Sequence, residues 1–147
     1  ADLNGEDKIL DFNIKTDSHP EEIHDMVDSV NYNDLVDNID IELKQAIQDW
    51  ENGKKYVSRK RALMAITKYY DGGGLKGALA KSFSEKRSQN LEDKLDDIRK
   101  IISGIGAESK SASAESLRQK VAFTISQLRN NVQELEARLN PDSIKLK

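Results

Sequence analysis

The apolar residues between positions 83 and 102 recur with the period of an amphipathic α-helix. Steps of three, four or eight residues separate the apolar positions Phe83, Leu91, Leu95, Ile98 and Ile102. Arg87 interrupts this stripe at a position that the period assigns to the protein core. Because a buried charge is costly unless it is paired, we predict that Arg87 forms a buried or half-buried ion pair with an acid on a neighbouring helix. Docking of a partner's carboxylate is the functional alternative for this side chain.

Other parts of the chain have the same periodicity, and glycine or proline separates them. We predict helices over about residues 33–51, 54–71, 75–102 and 113–140, the last capped by Ser113 and stopped by Pro141. The other residues predicted to face inward are Leu35, Val36, Ile39, Leu43, Ile47, Trp50, Tyr56, Leu63, Ile66, Tyr70, Leu117, Val121, Ile125, Leu128, Val132, Leu135 and Leu139. No strand-like alternation is present, so the sequence predicts an all-α fold. An antiparallel four-helix bundle is its natural architecture, and a coiled-coil hairpin that dimerises is the alternative.

The predicted bundle occupies residues 31–140, between an acidic N-terminal arm of residues 1–30 and a C-terminal tail of residues 141–147. We expect the arm to be loosely ordered, with a short apolar patch docking on the bundle. A short helix over about residues 20–29 is predicted, because Pro20 precedes two acids and this order is typical of a helix start.

Acidic and basic residues are distributed unevenly along the chain. Residues 1–53 contain 15 acids and three bases, whereas residues 54–147 contain 11 acids and 20 bases. We expect the two parts to neutralise each other within the fold. Recruitment of cations or of a basic partner by the acidic arm is the alternative.

Six basic residues and no acid lie between positions 54 and 68: Lys54, Lys55, Arg59, Lys60, Arg61 and Lys68. Such a segment could bind the phosphate groups of nucleic acid or of anionic lipid. Because the net charge is −3 and no aromatic stacking platform accompanies the segment, we predict no binding of nucleic acid. A membrane surface and the acidic arm remain as its expected contacts.

The composition excludes several classes of function. Cysteine is absent, which excludes disulfides, thiolate metal sites and thiol catalysis. No apolar run approaches the roughly 20 residues of a membrane-spanning helix. The glycine triplet at positions 72–74 lacks the lysine and serine or threonine of a P-loop, and no Ser/His/Asp set has supporting context. We therefore predict that the chain is not an enzyme.

One candidate metal site lies in the N-terminal arm. Glu21, His24 and Asp28 are spaced i, i+3 and i+7, so they share one face of a helix. Imidazole and carboxylate groups suit iron, copper or zinc. Because no second Glu-x-x-His is present, we do not expect a di-iron centre. An exposed acidic helix with an ordinary histidine is the alternative.

A second candidate lies on the helix that contains Arg87. Glu92 and Asp96 form an i, i+4 pair of carboxylates, and hard cations prefer such oxygen ligands. Arg99 and Lys100 are close in sequence and compete with a metal as counter-ions. A solvated charged surface is therefore the alternative.

Short motifs follow one another in a recognisable order between Trp50 and Arg99. They are the segment from Trp50 to Lys55 (WENGKK), the aromatic pair Tyr69-Tyr70, the turn Gly74-Leu75, and then Ser84, Arg87, Glu92, Leu95, Ile98 and Arg99. In these motifs the chain resembles the extracytoplasmic N-terminal domain of the bacterial high-affinity iron permease family. In that family the domain precedes the membrane-spanning transporter. Lys76 is a departure, because the family commonly has an acid at this place.

This resemblance implies a non-catalytic extracytoplasmic domain, periplasmic or on the cell surface, that is membrane-tethered in the full-length protein. Its expected role is to dock an iron-delivery partner, or to bind iron transiently and pass it to a membrane iron permease. Iron ligands are then expected among the two candidate sites, and Arg87 and Arg99 are expected to hold the third helix in place. The alternative is a metal-free helical module for protein–protein interaction, such as an adaptor or a sensor ectodomain. A stable dimer through the Leu117–Leu139 seam would favour that alternative.

Overall fold

The computed structural model describes residues 30–140, and every regular element in that range is helical. The elements are α1 (Tyr32–Glu51), α2 (Lys55–Met64), a π-helical segment (Ala65–Asp71), α3 (Leu75–Ser82), α4 (Glu85–Ile102), the short α5 (Glu108–Ser111) and α6 (Ala114–Leu139). The prediction of an all-α fold is confirmed. The arm, its predicted short helix and the tail at 141–147 lie outside the described residues.

The pair of helices α1 and α2 is joined by a tight turn and packs closely. Gly53 follows the end of α1 with a φ angle of +78°, a conformation that glycine adopts without strain. Ala46, Ser58 and Ala62 are buried where the helices meet. The hydroxyl of Ser58 donates a hydrogen bond of 2.8 Å to the carbonyl oxygen of Ala46. These small side chains allow a close approach, and α1 also packs against α6.

A buried carboxylate also connects α1 to α2. Asp49 is 6% exposed, and its Oδ2 accepts a hydrogen bond of 3.0 Å from Nε of Arg61. The guanidinium also binds Oε1 of Glu42 at 3.2 Å, and this hydrogen bond is the largest contribution that raises the pKa of Arg61. Arg61 therefore neutralises a charge that the fold has removed from water.

Replacement of Arg61 by alanine is expected to lower the free energy of unfolding by about 1–3 kcal/mol, because it leaves the buried carboxylate of Asp49 without its donor. Arg129→Ala is the matched control, since it removes an exposed ion pair to Asp37 and should cost less than about 1 kcal/mol. Urea unfolding of both variants measures the difference. Equal losses would contradict a special role for Arg61.

The region between residues 75 and 102 is two helices, and the prediction of one continuous helix is wrong. Ser84 has an extended backbone, with φ −165° and ψ 156°, and its hydroxyl accepts a hydrogen bond from the amide of Arg87. Serine in this conformation is a strong N-cap, so a new helix begins at Glu85. The apolar period of the sequence continues through residues 83 and 84 without interruption. The N-cap at Ser84 nevertheless ends one helix and starts another.

Three residues predicted to face inward are exposed. Tyr56 is 68% exposed, Leu63 is 46% exposed and Leu139 is 53% exposed. On α2 the buried positions are the small residues Ser58 and Ala62, so the larger apolar side chains occupy the opposite face. Leu139 is the last residue of α6, beyond Leu135, the last buried position of that helix.

Candidate functional site

The two predicted metal ligands on α4 are ion-paired with lysine and arginine side chains. Oε1 of Glu92 lies 2.7 Å from Nζ of Lys76 on α3. Oδ1 of Asp96 accepts a hydrogen bond of 2.7 Å from Nε of Arg99, and its Oδ2 lies 3.5 Å from Nζ of Lys100. Each carboxylate thus neutralises a cation, and Glu92 also connects α4 to α3.

Hydrogen bonding from Arg99 lowers the pKa of the Asp96 carboxyl below its ordinary value. The charged form is thereby favoured in the folded state, so the pair contributes stability above the usual pKa of aspartate, about 3.9. That contribution is lost as the pH falls through the lower pKa of the folded state.

Replacement of Asp96 by asparagine is accordingly expected to cost less than about 1 kcal/mol at neutral pH, because the pair is partly solvated. The difference in unfolding free energy between Asp96→Asn and the unsubstituted protein should shrink as the pH falls below about 3.9. Asp97→Asn, at an exposed neighbouring position, is the control and should lower the unfolding free energy at neutral pH by less than Asp96→Asn does. Unfolding in urea at several pH values tests this prediction, and a difference that grows in acid would contradict it.

No group of three or more His, Cys, Asp or Glu side chains converges to hold a metal ion within residues 30–140. The other predicted ligands, Glu21, His24 and Asp28, lie outside the described residues. The metal site therefore stays a prediction.

Arg87 pairs with an acid on a neighbouring helix, but the pair is less buried than predicted, with side-chain exposures of 37% for Arg87 and 57% for Glu134. Its Nη1 lies 2.8 Å from Oε1 of Glu134 on α6, and the guanidinium stacks 4.1 Å from the ring centre of Phe83. Arg138, also on α6, covers the same ring at 4.5 Å and donates a hydrogen bond of 2.7 Å to the carbonyl oxygen of Ser82. This cluster attaches the junction of α3 and α4 to α6. Sequence reasoning missed Arg138, because it is far from Phe83 along the chain.

Arg99 has a more local role than Arg87. Its partner Asp96 lies three residues earlier on the same helix. The pair stabilises α4 itself, as i, i+3 pairs of opposite charge do.

A groove of about 860 Å³ runs between α1 and α6. Val121 and Ile125, both buried, are apolar residues in its lining. Charged and polar residues line the rest: Asp40, Lys44, Gln48 and Glu51 from α1, Asn52 from the turn after it, and Arg118, Ser126, Arg129 and Asn130 from α6, with Ala122. An ion pair of 2.6 Å joins Arg118 to Glu51, and one of 2.9 Å joins Arg129 to Asp37. Since Val121 and Ile125 are almost fully covered, Ala122 is the exposed apolar residue of the lining, and it lies beside charges of both signs. Sequence reasoning did not identify this groove.

Comparison of the chain with family models, with curated proteins and with solved structures returned no match. The resemblance to iron permease domains therefore depends on the motifs between Trp50 and Arg99 alone. None of the helices within residues 30–140 has the length and apolar character needed to cross a bilayer.

Proposed function

We propose that this domain is a non-catalytic binding module that accepts an amphipathic helix of a partner protein in the groove between α1 and α6. The groove is the observation that carries the proposal. It extends from Asp40 to Glu51 along α1, which corresponds to roughly 17 Å or about three helical turns. A helix placed there would cover the exposed Ala122 and would meet acids and bases along both walls.

The framework that we propose for this groove is an antiparallel four-helix bundle. Its members are α1, α2 with the π-helical segment, α4 and α6. Packing of α1 on α2, of α2 on α4, of α4 on α6 and of α6 on α1 supports this arrangement. The short link at residues 52–54 favours an antiparallel direction for α1 and α2. In such a framework the α1–α6 groove lies between the first and the last helix.

A structural rather than catalytic use of the α4 carboxylates supports the non-catalytic reading. Glu92 and Asp96 each bind a cation of this chain, at 2.7 Å in both cases. A general acid or a nucleophile needs access to a substrate, and these side chains are occupied with stabilising contacts. The same contacts favour a binding domain over an enzyme.

Photo-crosslinking tests the groove in cells of the source organism. Benzoylphenylalanine at position 122, in the groove, is expected to cross-link one partner, whereas the same residue at position 123 should not. Phe123 is the matched control because it neighbours Ala122 in sequence and is 57% exposed outside the groove lining.

The cross-linked segment of that partner, made as a peptide, should then bind the purified domain and become helical. Ala122→Trp, which fills the groove, is expected to weaken this binding by at least about tenfold, the equivalent of about 1.4 kcal/mol. Equal cross-linking from both positions, or unchanged peptide binding by the Ala122→Trp variant, would overturn the proposal.

The resemblance to iron permease domains supports a second proposal, that the partner belongs to an iron-uptake system. The partner would be a membrane iron permease or an iron-delivery protein, and the domain would be extracytoplasmic. Glu92 and Asp96 also lie one helical turn apart on α4, and their oxygen atoms suit iron, which would compete for them with Lys76 and Arg99. The domain could then bind iron transiently before its transfer.

Calorimetric titration separates iron binding from docking alone. The domain is titrated with anaerobic Fe²⁺, Fe³⁺-citrate, Cu²⁺ and Zn²⁺, beside Glu92→Gln, His24→Ala and the control Asp97→Asn. Binding with a micromolar or lower dissociation constant that Glu92→Gln or His24→Ala abolishes and Asp97→Asn preserves would support iron, copper or zinc handling. Equal, weak heats from all variants would contradict it and would leave the docking proposal intact.

A further inference from the structure

The outward side of α2 concentrates positive charge that the rest of the described chain does not neutralise. The segment from position 54 to 68 contains six basic residues and no acid. Among contacts within residues 30–140, Arg61 is the one of these six that pairs with acids, Glu42 and Asp49. Within residues 30–140, Lys55, Arg59 and Lys60 are exposed and form no ion pair with another side chain.

Large apolar side chains lie among these cations. Tyr56 and Leu63 are 68% and 46% exposed. With Lys60 they are spaced i, i+4 and i+7, which places the three on one face of the helix. We call the set Tyr56, Arg59, Lys60 and Leu63 the α2 outer face; the exposed Lys55 flanks it at the start of the helix. The buried residues Ser58 and Ala62 occupy the opposite side of the helix, so the fold holds this face toward solvent.

We propose that the α2 outer face binds the surface of an anionic lipid bilayer. Lysine and arginine contact acidic headgroups, while tyrosine and leucine enter the boundary between headgroups and acyl chains. Tyrosine is enriched at that boundary because its ring is apolar and its hydroxyl is polar. The positive charge of the face favours a negatively charged surface. One exposed helix face can lie along the plane of a bilayer. This proposal concerns a different surface from the α1–α6 groove and does not depend on the proposed function.

Vesicle flotation of the full chain tests the proposal directly. The two probes are vesicles of phosphatidylcholine alone and vesicles of phosphatidylcholine and phosphatidylglycerol in equal parts. The chain is expected to float with the anionic vesicles at low salt and not with the neutral ones. Binding should weaken as salt is added, because salt screens exposed charges.

Two variants assign the binding to this face. Arg59→Glu with Lys60→Glu should weaken vesicle binding by at least about tenfold, since each basic residue near an anionic surface adds to the attraction. Tyr56→Ser with Leu63→Ser should weaken it at unchanged charge, which separates insertion from simple attraction. All four side chains are exposed, although Leu63 is partly covered. Circular dichroism should therefore show unchanged helix content.

The matched controls alter exposed residues elsewhere: Lys86→Glu with Lys110→Glu for charge, and Phe123→Ser for an exposed aromatic. They should reduce vesicle binding less than the corresponding α2 variants. The absence of flotation with anionic vesicles, or equal losses in the control and α2 variants, would overturn the proposal. Binding to polyglutamate or to duplex DNA in preference to vesicles would also overturn it, and would indicate an acidic protein or a nucleic acid as the ligand.

Discussion

Replacement of Tyr70 by alanine is expected to lower the free energy of unfolding by about 3–5 kcal/mol, the usual cost of removing a large aromatic side chain from a core. Tyr70 is fully buried in the π-helical segment. Its hydroxyl donates a hydrogen bond of 2.7 Å to the carbonyl oxygen of Ser88 on α4. The side chain therefore fills space in the core and also connects two helices.

Tyr56→Ala is the matched control, because Tyr56 lies on the same continuous helical stretch and is 68% exposed. This change should alter stability by less than about 0.5 kcal/mol. Unfolding in urea, followed by circular dichroism, measures both variants. A loss below about 1 kcal/mol for Tyr70→Ala, or similar losses for the two tyrosines, would contradict the packing described for α2 and the π-helical segment.

The hydroxyl of Tyr70 can be examined separately with Tyr70→Phe, for which we expect a loss of about 1 kcal/mol. Burial raises the pKa of Tyr70 well above its ordinary value. Since the neutral form is favoured in the folded state, this group contributes stability below the unfolded pKa of about 10, and that stability is lost as the pH rises toward the folded pKa. Above about pH 10, the unfolding free energy of the unsubstituted protein should therefore fall more steeply with pH than that of Tyr70→Phe.

The second large effect is expected at Gly73, where alanine should cost about 1–3 kcal/mol through overpacking. A Cβ atom at this position would overlap the carbonyl oxygen of Tyr69 and would lie 2.5 Å from Cδ2 of Leu35 on α1. The carbonyl oxygen belongs to the backbone of the π-helical segment and cannot rotate away. Gly73 is therefore required by the close approach of α1 to this turn.

Gly77→Ala is the matched control and should change stability in the opposite direction. Gly77 lies inside α3, and nothing is within 4 Å of the position that a Cβ atom would take. Alanine there should stabilise the protein by about 0.5–1 kcal/mol, because it loses less conformational freedom in a helix than glycine does. Thermal and urea unfolding of the pair test the opposite signs, and a destabilised Gly77→Ala or an unaffected Gly73→Ala would contradict the prediction.

Several features of the fold could be predicted because they depend on neighbours within about one helical turn. The apolar period of α4 and α6 indicated their buried residues, and Ser113 indicated the start of α6, where its hydroxyl accepts a hydrogen bond from the amide of Ser116. Gly53 indicated the end of α1, because glycine adopts the positive φ angle found there without strain. The ion pair of Arg87 was predictable in kind, because a cation on an apolar stripe needs an acid, although the sequence did not identify Glu134.

The candidate binding surfaces depend on residues that are distant in sequence. The groove contains residues of α1 and α6 that meet only after folding, and α2 exposes Tyr56 because Ser58 and Ala62 allow the closer approach to α1. The ring of Phe83 lies between two guanidinium groups, one of them 55 residues away at Arg138. Local patterns of polarity and capping are enough to specify helices, since their hydrogen bonds close within four residues. The choice among competing faces and partners is made by packing and by charge pairing across the whole chain, and these depend on the tertiary structure.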